Sequence, residues 1–199
     1  MFKCLSSFYF NRALRLARKA QISGATQNII KAVCYDNDNL EAWNLAGLCY
    51  YRLGKYKTAE YCWGQSVDKC REGNVAVSWL ADLKNTMEET FPYFSKVITF
   101  YQDKKYGQAA GSLSKEICSR FDLSADLLNY LGVLWMLDGK KNAAFNCWTT
   151  VLSIDQSNDH ARLYLEGMKN SLSYKLYVWK ERLFIWGKKL FKRNEKKEK

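Results

Sequence analysis

The chain has 199 residues, enough for a domain with a substantial core, and its 48% apolar and 26% charged residues exclude a disordered polymer. A single proline, Pro92, argues against a turn-rich β fold and for helices. The formal charge of +11 is uneven: residues 175–199 carry ten Lys or Arg against three Glu, a net of +7, which leaves +4 for a mildly basic first 174 residues.

The opening stretch "MFKCLSSFYFNRALRLARK" does not read as a secretory signal. Its apolar run is broken at Ser6 and Ser7, Asn11 and Arg12 follow at once, and no small-residue cleavage site closes it. No run of about 18 apolar residues occurs anywhere, so no membrane-spanning helix is expected and the cytoplasm is the default compartment. Residues 8–36 read as a weak helical hairpin whose second helix carries Ala25, Ile29 and Ala32, and "DNDN" at 36–39 makes the following turn.

The next hairpin, about 40–73, is much clearer. On its first helix Trp43, Ala46, Gly47 and Tyr50 fall on one face. Gly54 can take positive φ and end that helix. A second helix from about Tyr56 brings Ala59, Trp63, Ser66 and Val67 to one side. The small residues Gly47 and Ala59 let the helices approach, and Trp43, Tyr50 and Trp63 fill the space around them. An extra helix over 75–89 comes next. Pro92 suits the first turn of the next helix, where its missing N–H costs nothing. It would open another weak hairpin, about 93–123. There Ala110 fits one register, Leu113 and Ile117 fit a register shifted by one, and the loop near Tyr106 and Gly107 stays open.

The clear pattern then returns over about 125–158 as Leu128, Leu131, Gly132, Trp135, Gly139, Ala144 and Trp148. It lies 85 residues after the first copy, without a gap from 40 to 85. Asn44 matches Asn129, Gly54 and Lys55 match Gly139 and Lys140, Cys62 and Trp63 match Cys147 and Trp148, and Lys84 and Asn85 match Lys169 and Asn170. The unit that is duplicated is therefore larger than one hairpin, and a last helix over 160–173 corresponds to the one over 75–89.

The run Trp43, Ala46, Gly47, Tyr50, Ala59, Trp63, and its second copy, resembles the tetratricopeptide repeat, with its pattern W-x2-L-G-x2-Y, then A-x3-F, then P. Ala46 stands where Leu is usual, and Arg71 and Gln156 stand where the proline would be. The 34 residues from Ala25 to Ala59, and from Ala110 to Ala144, equal one repeat of that family. The resemblance covers about 8–158 and implies an all-α, right-handed α-α superhelix of antiparallel hairpins, each burying its apolar face on its neighbours. It also implies a concave groove, lined by the first helix of each hairpin, that takes a peptide or partner helix. The residues off the packing face, Asn44, Leu48, Tyr51 and Arg52, with Asn129, Val133 and Met136 in the second copy, are the candidate groove residues. The alternative for them is ordinary surface or inter-repeat contact. The basic set with which some members clamp a C-terminal carboxylate is not evident.

Nothing in the sequence points to catalysis, a cofactor or a metal. His160, the single histidine, falls in the first turn of an expected helix beside Asn158 and Asp159, a surface position. No phosphate-binding glycine loop or H-E-x-x-H occurs. The seven cysteines contain no C-x-x-C pair and read as free buried thiols rather than a disulfide or zinc framework. Base stacking by the many aromatics in a basic chain is the weaker reading, because the repeat tryptophans are needed between helices.

The last stretch reads as a basic amphipathic helix. Leu172, Leu176, Trp179, Leu183, Trp186 and Leu190 form a stripe, with Lys175, Arg182, Lys188, Lys189 and Arg193 elsewhere on the helix. It could cap the repeats, lie on an anionic membrane at its inner face, or dock on another protein or a second copy in a homodimer. Trp179, Lys180, Leu183, Trp186, Lys188, Lys189 and Leu190 would make the latter contacts. The leading reading is a non-catalytic adaptor for a protein or peptide partner. A peripheral membrane protein using residues 175–199 is the rival, and an RNA-binding array the weaker one.

Overall fold

Nine α-helices and one π-helical turn make up the residues that the computed structural model describes, 2–170, and among them there is no strand. In chain order they are α1 (Phe2–Arg18), α2 (Ile22–Tyr35), α3 (Leu40–Leu53), α4 (Tyr56–Lys69), α5 (Ala76–Gln102), α6 (Tyr106–Ser112) running into the π turn Leu113–Cys118, then α7 (Ala125–Leu137), α8 (Lys141–Ile154) and α9 (Asp159–Asn170). The chain divides into a compact unit, 1–161, and a second, 162–199, of which 162–170 are the described part and continue α9. In the first unit α1 packs on α2, α3 on α4 and α7 on α8, while α5 packs on α4 at one side and on α6 at the other. The arrangement is an α-α solenoid of antiparallel hairpins.

Each central hairpin is built on a tryptophan pressed against a glycine. A Cβ on Gly132 would sit 2.5 Å from Trp148 Nε1, and a Cβ on Gly47 would overlap the Trp63 indole outright. Trp63 and Trp148 are each only 2% exposed, and Ala59 and Ala144 are fully buried. The core reading of the repeat aromatics holds for Trp43, Trp63 and Trp148, while Tyr50 and Trp135 are half-buried. Gly54 ends α3 with φ 89°, its N–H bonding back to Tyr50 and Tyr51, as a left-handed C-cap requires. At the other end of α3, the Asn39 side chain accepts from Ala42 N at 2.9 Å and donates to the fully buried Ser6 Oγ at 3.0 Å, tying α1 to α3.

Two expectations fail around Pro92. It does not start a helix: α5 runs unbroken for 27 residues with Pro92 inside. The reason is the apolar stripe, which keeps its phase across the proline. Ala76, Leu83, Met87, Thr90, Phe94 and Val97 turn inward at helical spacing. Pro92 is exposed, and so is Glu88, whose carbonyl loses its partner there and is left to water. A single helix thus replaces the expected helix 75–89 and the first helix of the next hairpin. The ambiguous register after it is settled inside a helix, not in the loop at Tyr106. The π turn at Leu113–Cys118 takes up one extra residue. Ala109, Ala110, Leu113 and Ile117 are consequently all buried.

The winding of the solenoid brings sequence-distant turns together. Asp155, fully buried, accepts from Ser23 Oγ at 2.5 Å and Ser23 N at 3.3 Å, and from Ser157 Oγ at 2.7 Å. Beside it Gln156 N donates to Ala20 O at 2.7 Å. The α1–α2 turn is thereby fastened to the end of α8 by hydrogen bonds to a carboxylate, stronger than neutral ones.

Thermal melts should show both effects. Gly47→Ala lowers stability by about 1–3 kcal/mol through overpacking, while Gly64→Ala in α4, where a Cβ meets nothing within 4 Å, does not lower it. Asp155→Ala costs about 1.5–3 kcal/mol by removing hydrogen bonds to a charged group; an unchanged melt would mean the Ser23 link carries no weight.

Candidate interaction surface

The candidate groove residues divide into two groups. Asn44 is half-buried, and its Nδ2 donates to Asn74 Oδ1 at 3.1 Å. Asn129 is 8% exposed and donates in the same way to Asn158 Oδ1 at 3.3 Å. Asn74 and Asn158 in turn accept from Ala76 N and Ala161 N, both at 3.0 Å, so each pair fixes the start of the helix after its hairpin. The Oδ1 of both Asn44 and Asn129 is buried without a donor among the described residues. These two amides serve the contact between successive hairpins, the alternative that the sequence left open for them.

Tyr51 is also engaged. Its hydroxyl accepts from Asp122 N at 3.3 Å, and its ring packs near Tyr56 and Trp63, with centroids 5.4 and 5.9 Å away. The segment 121–126 closes over this end of α3. Tyr56 OH and Ser124 Oγ are 2.8 Å apart, Phe121 stacks on Tyr56 at 4.3 Å, and a Cβ on Gly54 would meet Asp126 Cβ at 2.8 Å. The first helices of the two clear hairpins, α3 and α7, therefore touch. Leu48 and Arg52 stay exposed, and Val133 and Met136 are half-exposed. Trp179, Lys180, Leu183, Trp186, Lys188, Lys189 and Leu190 lie outside the described residues.

The structure adds surface that the sequence reading passed over. An open cleft of ≈ 380 Å³ lies between the start of α4 and the middle of α5. Met87, Phe91, Phe94, Tyr56 and Phe121 make it apolar, and Lys55 and Lys57 border it. Phe91 is 72% exposed. On α7, Tyr130 and Leu137 are exposed one turn to either side of Val133. Their spacing off the packing face was legible as three and four, and Leu137 is the counterpart of Arg52 in the second copy. Phe91 was hidden by the break assumed at its neighbour Pro92.

Comparison with known proteins identifies the fold. No protein-family profile matches the sequence, and no curated protein matches it significantly. Among solved structures, the P58(IPK) TPR domain is similar at 14% identity and a TM-score of 0.50, over 78% of this chain and 43% of that one. The chain thus spans under half the length of that structure. YrrB, described as a TPR protein with an unusual peptide-binding site, is matched at 16% identity and a TM-score of 0.38, over 79% of this chain and 90% of that one. The likeness to P58(IPK) shows that this chain has the tetratricopeptide-repeat fold.

Burial raises several of the thiols. Burial, with the Cys62 thiol beside it, pushes the Cys49 thiol up to about 12. Burial alone pushes Cys62 to about 11, and Cys118, also burdened by Cys147, to about 11. Such thiols stay protonated and inert. The expectation of buried cysteines is corrected for Cys4, Cys34 and Cys70, which are exposed because they fall on the outer faces of α1 and α2 and beyond the end of α4. His160 is exposed in the first turn of α9, and no group of three His, Cys, Asp or Glu among the described residues could hold a metal ion. In the native protein at neutral pH, an alkylating reagent should modify Cys4, Cys34 and Cys70 fast and spare Cys49, Cys62 and Cys147, all seven reacting on denaturation, as read by mass spectrometry. The raised thiols also set a pH dependence: their contribution is fully present below the ordinary thiol value of 9.0 and is lost as pH climbs through 11 and 12.

Proposed function

We propose that the chain is a non-catalytic adaptor that binds a peptide or helix of a partner protein through its exposed apolar surface. The observation that carries this reading is the cleft beneath Phe91. A large aromatic side chain 72% exposed, next to Met87, Phe94 and the Tyr56–Phe121 stack, costs solubility unless something covers it. Lys55 and Lys57 at the border favour a partner segment in which an apolar anchor stands beside a carboxylate. The repeat fold supports the same class of function, since stacked hairpins present a continuous rigid surface. On the groove side, Leu48 and Arg52 of α3, with Val133 and Met136 of α7, are the residues left free to meet a partner.

The test is affinity capture with full-length baits: wild type, Phe91→Asp and Leu48→Glu. Both positions are exposed, so both variants should melt like wild type. A partner seated in the cleft is lost from the Phe91→Asp bait by about tenfold or more, equivalent to about 1.4 kcal/mol, and is retained by Leu48→Glu. A groove partner shows the reverse. Equal recovery of the same proteins by all three baits would sink the proposal.

A further inference from the structure

The net charge of the described residues conceals a second asymmetry. Residues 1–35 contain six basic side chains, Lys3, Arg12, Arg15, Arg18, Lys19 and Lys31, and no Asp or Glu. Residues 36–170 contain fifteen basic and seventeen acidic ones, a net of −2. All of the excess positive charge in the described residues thus belongs to the α1–α2 hairpin.

The structure shows where that charge points. α1 buries Ser6 and Ala13 against its neighbours, while Cys4, Phe8, Asn11, Arg12, Arg15, Arg18 and the following Lys19 are exposed. At about 100° per residue, those seven positions fall within about 120° of the helix circumference. Four cations and Phe8, 53% exposed, therefore share one outer face. None of Lys3, Arg12, Arg15, Arg18 and Lys19 has an ion-pair partner among the described residues. Lys31, on α2, lies over the Tyr9 ring at 5.4 Å. Elsewhere charges of both signs are interspersed, and some are paired, as Lys57 with Glu60, Lys69 with Asp38 and Arg120 with Glu116 are.

A repeat hairpin at the edge of an array needs a polar outer face for solubility, but either sign of charge would serve. Unmixed, unpaired cations have a cost in self-repulsion that solubility does not explain. We infer that the outer face of α1 docks on an anionic lipid bilayer. The apolar side of α1 is used up within the hairpin, so the helix does not embed. The contact is electrostatic, with Arg12, Arg15, Arg18 and Lys19 over the headgroups and Phe8 as a shallow anchor. A convex single-helix face suits a planar surface, whereas a nucleic-acid strand is better held in a groove.

The test is co-sedimentation of the full chain with phosphatidylcholine vesicles, with and without phosphatidylserine, at low and high salt. The chain should bind only the vesicles containing phosphatidylserine, and salt should weaken the binding. Each neutralised cation should cost about fivefold, so Arg12→Gln, Arg15→Gln and Arg18→Gln together should cost about a hundredfold. These exposed positions on a helix tolerate Gln, and an unchanged melt verifies the fold. Lys96→Gln, Lys104→Gln and Lys115→Gln, exposed elsewhere, should leave binding unchanged. An equal loss in both triple variants would reduce the effect to net charge and overturn the inference. Full binding by the arginine variant would also overturn it, assigning the membrane to residues 171–199. So would tighter binding to single-stranded RNA than to vesicles, lost in the arginine variant.

Discussion

A tryptophan pressed onto a glycine sets the geometry on which the rest of the solenoid depends. In the first central hairpin the Trp63 indole occupies the place that any Cβ at Gly47 would need, and its Nε1 donates to Asn44 O at 3.2 Å. That close approach fixes Asn44, whose amide reaches Asn74, and Asn74 takes the N–H of Ala76 at the start of α5. Asn74 is itself held from α4, through Ser66 Oγ at 2.9 Å and Cys70 O at 2.8 Å. The packing inside one hairpin is thus converted, through two amides, into the position of the next helix. The second copy repeats the close approach and the amide pair with Gly132, Trp148, Asn129, Asn158 and Ala161. The two copies differ in that Asn158 stands three residues before its alanine and Asn74 two, and Val151 and Asp155 stand where the first copy has Ser66 and Cys70. A buried acceptor on each asparagine goes without a donor in both copies, which costs about 1–3 kcal/mol for each such group. Both halves keep that cost, which fits a contact that places a helix rather than one that merely adds stability.

The two halves diverge beyond the central hairpin. In the first, the helix continues through Pro92 to become half of the next hairpin. That long α5 holds the apolar cluster of Met87, Phe94, Val97 and Phe100 against α6 and the π turn. Its length carries the chain back to the end of α3, where residues 121–126 settle on Tyr51, Gly54 and Tyr56. This end of α3 is thus covered by the protein's own chain. The large side chains left exposed include Leu48 and Arg52 on α3, Tyr130 and Leu137 on α7, and Phe91 over its cleft.

The sequence made the hairpins legible because their signal is steric and local. Glycines, alanines and tryptophans at offsets of three and four can pack in few other ways, and the 85-residue duplication doubled the observation. It was less informative where a strong local rule met a longer-range constraint. Pro92 has the chemistry of a helix start, yet the stripe from Ala76 to Val97 keeps its phase across it, and burial of that stripe outweighs one lost hydrogen bond. The register conflict between Ala110 and Leu113 was visible as a conflict. Its solution, an extra residue absorbed in a π turn, depends on what Leu113 and Ile117 pack against. The groove residues show the same limit. Being off the packing face of one hairpin does not leave a residue free, because Asn44, Asn129 and Tyr51 are taken by partners 30, 29 and 71 residues away in sequence.

Charge obeys the same division between what the fold consumes and what it leaves. Asp155, the acid that fastens the α1–α2 turn to the end of α8, is fully buried and satisfied by hydroxyls and backbone N–H groups rather than by a cation. The arginines of α1 are therefore not required to compensate it. The fold supplies hydrogen-bond donors for the Asp155 carboxylate, and among the described residues it supplies no anion for the cations on the outer face of α1. The two sets of groups are independent, so the cations of α1 can change with little effect on the solenoid, while the Ser23–Asp155 link cannot. Surface charge that is free of structural duty, single-signed and gathered on one helix face is the kind that an external anionic partner can use in full.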